Sequence, residues 1–135
     1  MSLQNVEIVR DVFVARSGGD QEAGLDAIDP MAEWDMSGVT GWAEKQVYRG
    51  AEEILPFLAG WASAWRNWHY GVEDVRDAGD GQVFVAIHEW ATGVESGVSV
   101  DQRRYFAVDL DNGLIVRIRM FSDREPALKA VGREE

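Results

Sequence analysis

The sequence predicts a single α+β domain spanning residues 1–135. Three observations predict it. Apolar residues recur at helical spacing near the start and again over Ala51–Trp68. After that helix the period changes to alternation, the mark of strands. The last third, Ser99–Asp123, reads as a long β-hairpin turning at Asp111-Asn112-Gly113. Helices first and long antiparallel strands last is the order of an α+β domain.

Taken in order, Asn5–Arg16 is the first helix, with Val6, Val9, Val12 and Phe13 on one side. Ser17-Gly18-Gly19 stops it. Asp20 then caps a short second helix, Gln21–Ile28, which Asp29-Pro30 ends because the residue before proline is pushed out of helical geometry. Met31–Ser37 is strand-like, with Trp34 and Met36 on one side and Glu33 and Asp35 on the other. Lys45–Arg49 is a second short strand. Ala51–Trp68 carries Ile54, Leu58, Trp61, Trp65 and Trp68 in one helical stripe, with Pro56 placing the regular start near itself.

Tyr70 begins a strand that runs out near Ala78-Gly79-Asp80-Gly81. Val83–Thr92 is apolar on both sides: Val83, Val85 and Ile87 on one, Phe84, Ala86, His88 and Trp90 on the other. Such a strand is central and covered twice. In the hairpin, a three-residue loop with Gly113 in a left-handed bulge sets Leu110, Val108, Phe106 and Arg104 against Leu114, Val116, Ile118 and Met120. That register separates apolar from charged side chains, whereas a two-residue Asn112-Gly113 loop mixes them. Gln102, Arg104 and Ser122 are the polar end of the apolar face, either part of a ligand pocket or the rim of a core. Asp123 caps a last short helix, Glu125–Val131, with Pro126 in its first turn.

Composition narrows the function. Asp and Glu number 24 against 13 Lys and Arg, a net charge of −11, which argues against nucleic acid and anionic membrane as partners. The chain has no cysteine, which excludes disulfides, thiolate metal sites and cysteine nucleophiles. No apolar run approaches a membrane span and no secretory pattern opens the chain, so a cytoplasmic location is expected. HExxH, GxSxG and glycine-rich phosphate motifs are absent, and no metal or organic cofactor is expected. Six tryptophans are unusual, and the wall of a large apolar cavity is one place for them.

A series of short marks runs along the chain: Gly19-Asp20, Asp29-Pro30 leading into Glu33-Trp34-Asp35, Tyr48-Arg49-Gly50, Ser96-Gly97, Asp111-Asn112-Gly113, Asp123-Arg124-Glu125 and Ala127-Leu128. With these residues in this order, the chain resembles the SnoaL-like branch of the nuclear transport factor 2-like superfamily over nearly its whole length. The resemblance implies a cone-shaped, curved antiparallel sheet wrapped around a long helix, the cystatin-like α+β barrel. It also implies an apolar pocket and pairing as a homodimer through the outer face of the sheet. The general-base aspartate of the family's ketosteroid isomerases falls on Asp35. Their first-helix tyrosine falls at about Val12 and their hairpin aspartic acid at about Phe106. The late-strand aspartate of the cyclases falls at about Met120. None of these three replacements can donate a hydrogen bond to an enolate or exchange a proton.

The candidate site follows. Asp35 is either a general base in an apolar setting made by Trp61 and Trp65, or a solvent-facing or arginine-paired carboxylate. Arg104 either anchors an oxyanion or forms an internal pair with Asp35 or Glu89. His88 is a proton shuttle or a packing residue between Ala86 and Trp90. Trp61, Trp65, Trp90, Gln102, Phe106 and Met120 are the expected ligand-binding residues. Asp101, Arg103, Asp109, Arg117, Arg119 and Asp123 form a charged outer lattice, either a solvated sheet face with cross-strand pairs or, interleaved with Tyr105, Ile115 and Phe121, a dimer interface. The expected ligand is a small apolar molecule. The chemistry implied by the resemblance is cofactor-independent proton transfer on a cyclic or polyketide-like carbonyl compound, by an isomerase, cyclase or hydrolase/lyase. The alternative is a non-catalytic ligand-binding or partner-binding domain.

Overall fold

Val6, Val9, Val12 and Phe13 are all buried on one side of helix α1, Ser2–Arg16, as their spacing requires. The computed structural model describes residues 2–18, 24–40, 42 and 46–132. The cap expected at Asp20, the helix start at Gln21 and the strand start at Lys45 lie outside the described residues. After α1 come a single 3-10 turn, Leu25–Ala27, then β1, Ile28–Gly38, β2, Val47–Arg49, and helix α2, Gly50–Ala64. Four long strands follow: β3, Trp65–Gly79, β4, Gln82–Gly93, β5, Ser99–Asp111, and β6, Leu114–Phe121. A short helix α3, Arg124–Ala130, ends the described chain.

Among the described residues, six strands form one open sheet in the order β2-β1-β6-β5-β4-β3. All neighbours are antiparallel except β1 and β6, which run parallel. Helix α2 touches β1 and β2 at one edge and β3 at the opposite edge, so the sheet curls around it. Its inner face packs on α1, with Val83, Val85, Ile87, Val108 and Ile115 fully buried. Its outer face carries a smaller core in which α3 lays Ala127, Leu128 and Val131 on Phe84, Ala86 and Ala107. Strand β4 is therefore covered on both sides, as its two apolar faces predict.

Four local readings are corrected. Asp29 and Pro30 do not end a helix but lie inside β1. The pairing of β1 with β6 is irregular between Ile28 and Glu33, which accommodates the missing proline N–H. Helix α2 starts at Gly50, runs through Pro56 and stops at Ala64, so Trp65 and Trp68 belong to β3. Aromatic residues favour strands, and the run Trp65-Arg66-Asn67-Trp68-His69-Tyr70 pairs with β4 instead of continuing the helix. Asp123 stands at the N-cap of α3 in extended geometry without a side-chain cap bond.

The hairpin turn is the fourth correction. It is the two-residue loop Asn112-Gly113, both at positive φ, with Asp111 opposite Leu114. Leu110 then faces Ile115, but Asp109 faces Arg117 and Val108 faces Ile118. One extra residue on β6 absorbs the difference as a bulge. The bulge turns Ile115 into the core and returns Ile118 and Met120 to the inner face opposite Val108 and Phe106. Apolar and charged side chains are separated as expected, by a different device and in a register shifted by two.

Candidate functional site

Helix α2 is apolar yet scarcely buried, and this leaves room beneath it. Among its side chains Leu58 is buried, while Ile54, Phe57 and Trp61 are only half-buried. They line a cavity of about 260 Å³ between α1, α2 and the inner face of the sheet. Val12 and Phe13 come from α1, Trp34 and Met36 from β1, Trp68 and Tyr70 from β3, Phe106 from β5, and Ile118 and Met120 from β6. An aromatic chain runs along the wall. Trp68 meets Tyr70 at 5.6 Å between ring centres, Tyr70 meets Phe13 at 6.4 Å and Phe13 meets Phe106 at 5.0 Å. Phe106 then meets Trp34 at 6.4 Å, and Trp34 meets Phe57 at 6.1 Å. These edge-on and tilted contacts fix the rings in place.

One carboxylate on this wall is deeply buried. Glu89 of β4 is 2 % exposed. Its Oε1 accepts hydrogen bonds from Gln102 Nε2 at 2.7 Å and Arg104 Nε at 3.3 Å. Its Oε2 accepts one from Trp68 Nε1 at 3.3 Å. Arg104 also donates through Nη1 to Ser122 Oγ at 3.1 Å, and that oxygen accepts the Thr40 N–H at 2.8 Å. The polar end of the apolar face is thus a network centred on Glu89. Tyr70, beside it, donates its hydroxyl to the Phe13 carbonyl at 2.6 Å, and burial pushes its phenol above the usual tyrosine range.

The expected site residues are divided by the sheet. Trp61, Phe106 and Met120 line the cavity. Gln102 and Arg104 are on the inner face but are turned to Glu89 and do not line the cavity. Asp35 is not on the cavity wall. β1 sends Trp34 and Met36 inward, so its alternation sends Asp35 to the outer face, where Arg117 Nη2 lies 3.7 Å from it. Asp35 Oδ1 also accepts the Ser37 N–H at 2.8 Å. His88 and Trp90 are on the outer face as well. His88 pairs with Asp101 and lies 4.0 Å from Glu73, and its ring packs 4.2 Å from that of Trp90. The His88 bond holds the Asp101 carboxyl below its ordinary range, and the Arg103 bond does the same for Glu73. Trp65, at the start of β3, packs 5.9 Å from Trp61 and is not on the wall.

Glu89 enters the expectations only as a possible partner of Arg104, which it is, although a stronger signal is in the sequence. It continues the stripe Val83, Val85, Ile87 at period two, so it is a charge on an inward face. Trp34, Trp68 and Tyr70 lie outside the expected set because alternation alone does not fix which side of β1 faces inward, and helical spacing hides the start of β3 at Trp65. Among the described residues, no three His, Asp or Glu side chains gather as metal ligands, and no helix is long and apolar enough to cross a membrane.

No protein-family model and no curated protein matches the chain. Solved structures do. Bal32a, from a soil-derived mobile gene cassette, is 21% identical with a TM-score of 0.77, covering 98% of each chain. A candidate SnoaL-like polyketide cyclase from Jannaschia is 20% identical with a TM-score of 0.75, covering 99% of this chain and 95% of that one. A protein with a ketosteroid isomerase-like fold from Catenulispora acidiphila, in complex with trimethylamine, is 12% identical with a TM-score of 0.71, covering 94% and 93%. The chain has the SnoaL-like, nuclear transport factor 2-like fold.

Proposed function

We propose that the protein binds a small, largely apolar ring compound in the cavity beneath α2. The observation that carries this reading is a cavity of about 260 Å³ walled by fixed aromatic rings, with a buried carboxylate among them. A cavity of about 150 Å³ holds one benzene ring, so this one takes roughly two fused rings. The Catenulispora acidiphila neighbour, which holds trimethylamine, supports a role for this fold in taking up small organic molecules. The isomerase-like and cyclase-like neighbours support chemistry on such a ligand, with Glu89 as the buried carboxylate on the cavity wall.

Titration with bicyclic aromatic and terpenoid compounds, followed by tryptophan fluorescence, tests the reading. Trp34, Trp61 and Trp68 line the cavity, so saturable quenching is expected. Quenching that is absent for every bicyclic compound, with the protein folded, refutes it. The homodimer belongs to the same proposal. Outside the area covered by α3, the outer face presents Trp90 stacked on His69 at 5.2 Å, beside the Arg103–Glu73 pair. Sedimentation at rising concentration is expected to show a dimer.

A further inference from the structure

Every charged group on the cavity wall has a partner, but Glu89 has acceptor capacity to spare. A carboxylate offers about four lone-pair positions. Among the described residues, Glu89 uses two on Oε1, for Gln102 and Arg104, and one on Oε2, for Trp68. Trp68, which bonds Oε2, lines the cavity with Glu89, whereas Gln102 and Arg104, which bond Oε1, do not. The other carboxylates on the wall are not buried: Asp29, whose Oδ1 accepts the Met31 N–H, and Glu33, which pairs with Arg49 and Arg117, are both partly exposed, and Arg16 is itself engaged.

We infer that Glu89 Oε2 is a ligand-anchoring position that selects ring compounds carrying a hydrogen-bond donor, a hydroxyl or a protonated amine, over ethers and carboxylates. The inference rests on the ligand-binding reading above and names the class of ligand. An ether leaves the buried oxygen without a new partner. A carboxylate brings a second negative charge against it in a poorly solvated space. A donor fills the open position, and a hydrogen bond to a charged group is worth roughly ten- to a hundredfold in affinity. The Gln102 and Arg104 bonds hold the carboxylate in one orientation, so the ligand does not have to order it.

Four bicyclic probes of one shape decide the matter by calorimetry: naphthalene, 2-naphthol, 2-methoxynaphthalene and 2-naphthoate. Wild-type protein is expected to bind 2-naphthol at least about tenfold more tightly than the ether, and 2-naphthoate most weakly. In Glu89→Gln the naphthol preference is expected to shrink to within about threefold. If that variant does not fold, the wild-type Glu89 carboxyl carbon resonance replaces it. That resonance is expected to move with naphthol and not with the ether. Equal binding of naphthol and ether overturns the inference and leaves the pocket reading standing. Tightest binding of the naphthoate also overturns it and moves the anchor to Arg16. Failure of all four probes to bind removes the pocket reading itself, and the inference with it.

Discussion

Arg104 Nε lies 3.3 Å from Glu89 Oε1, with the two side chains only 15% and 2% exposed. The pair is poorly solvated, so its members depend on each other. Removing one leaves an uncompensated charge in the interior, which costs roughly 3 kcal/mol or more. Arg104→Met is therefore expected to lower the urea midpoint sharply. Replacing both, as Glu89→Leu with Arg104→Leu, is expected to restore most of that loss, because well-packed apolar side chains replace a buried pair at little cost. A double variant as unstable as the single one would show that Arg104 matters through Ser122 and not through Glu89.

Tyr70 ties β3 to α1 and to the turn that follows it, through its hydroxyl to the Phe13 carbonyl and its backbone N–H to the Ser17 carbonyl at 2.9 Å. Tyr70→Phe is expected to cost about 1 kcal/mol at neutral pH. The pH dependence is the sharper readout. An unfolded phenol ionises near 10.0, and burial raises the folded one above that. As pH climbs past 10 the unfolded chain gives up a proton that the folded chain keeps, so stability falls. The stabilisation is complete below that pH and absent from the Phe variant. Equal alkaline slopes for wild type and Tyr70→Phe would remove the tyrosine from this account.

What the sequence made legible and what it hid can be traced to particular residues. Face sorting was readable, because Phe106, Val108, Ile118 and Met120 keep an even period and must share the buried side. The register was not, because a bulge at Ile115 produces the same sorting as a longer loop. Helical spacing is equally blind to the switch at Trp65. Trp61, Trp65 and Trp68 fit a helix, but pairing with β4 takes the last two. The parity of β1 had the largest consequence. Alternation separated Trp34 from Asp35 and could not say which one faces inward. The fold was carried by the order of elements, while the site depended on that parity.

The hairpin turn is open to direct test. Asn112 and Gly113 sit at φ 50° and 80°, where a side chain with a Cβ is strained unless it is Asn or Asp. Gly113→Ala is expected to cost about 1–2 kcal/mol and Asn112→Ala about 1 kcal/mol, whereas Asn112→Gly is expected to be nearly neutral. In a chain of this size 1 kcal/mol corresponds to about 4 °C in Tm. Thermal unfolding of the three variants checks the order. A loss at Gly113 alone would argue for the longer loop after all.

Asp35 gives the prediction that separates the cavity from the outer face. Its carboxylate pairs with Arg117 at 3.7 Å and accepts the Ser37 N–H, and it is not on the cavity wall. Asp35→Asn keeps an oxygen for Ser37 and gives up the charge. Arg117 retains Glu33, 3.8 Å away, but the Asp35 side chain is only 12% exposed, so the loss of stability is expected to be about 1–3 kcal/mol. Affinity for a cavity ligand is expected to stay within about twofold of wild type, since Asp35 and Glu89 share no partner. Glu89→Gln should behave in the opposite way, with a large effect on the ligand. Calorimetry on both variants with one probe, 2-naphthol, compares them directly. If Asp35→Asn weakens naphthol binding as much as Glu89→Gln does, the carboxylate on the outer face governs the cavity across the sheet, and the division of the site drawn from β1 fails.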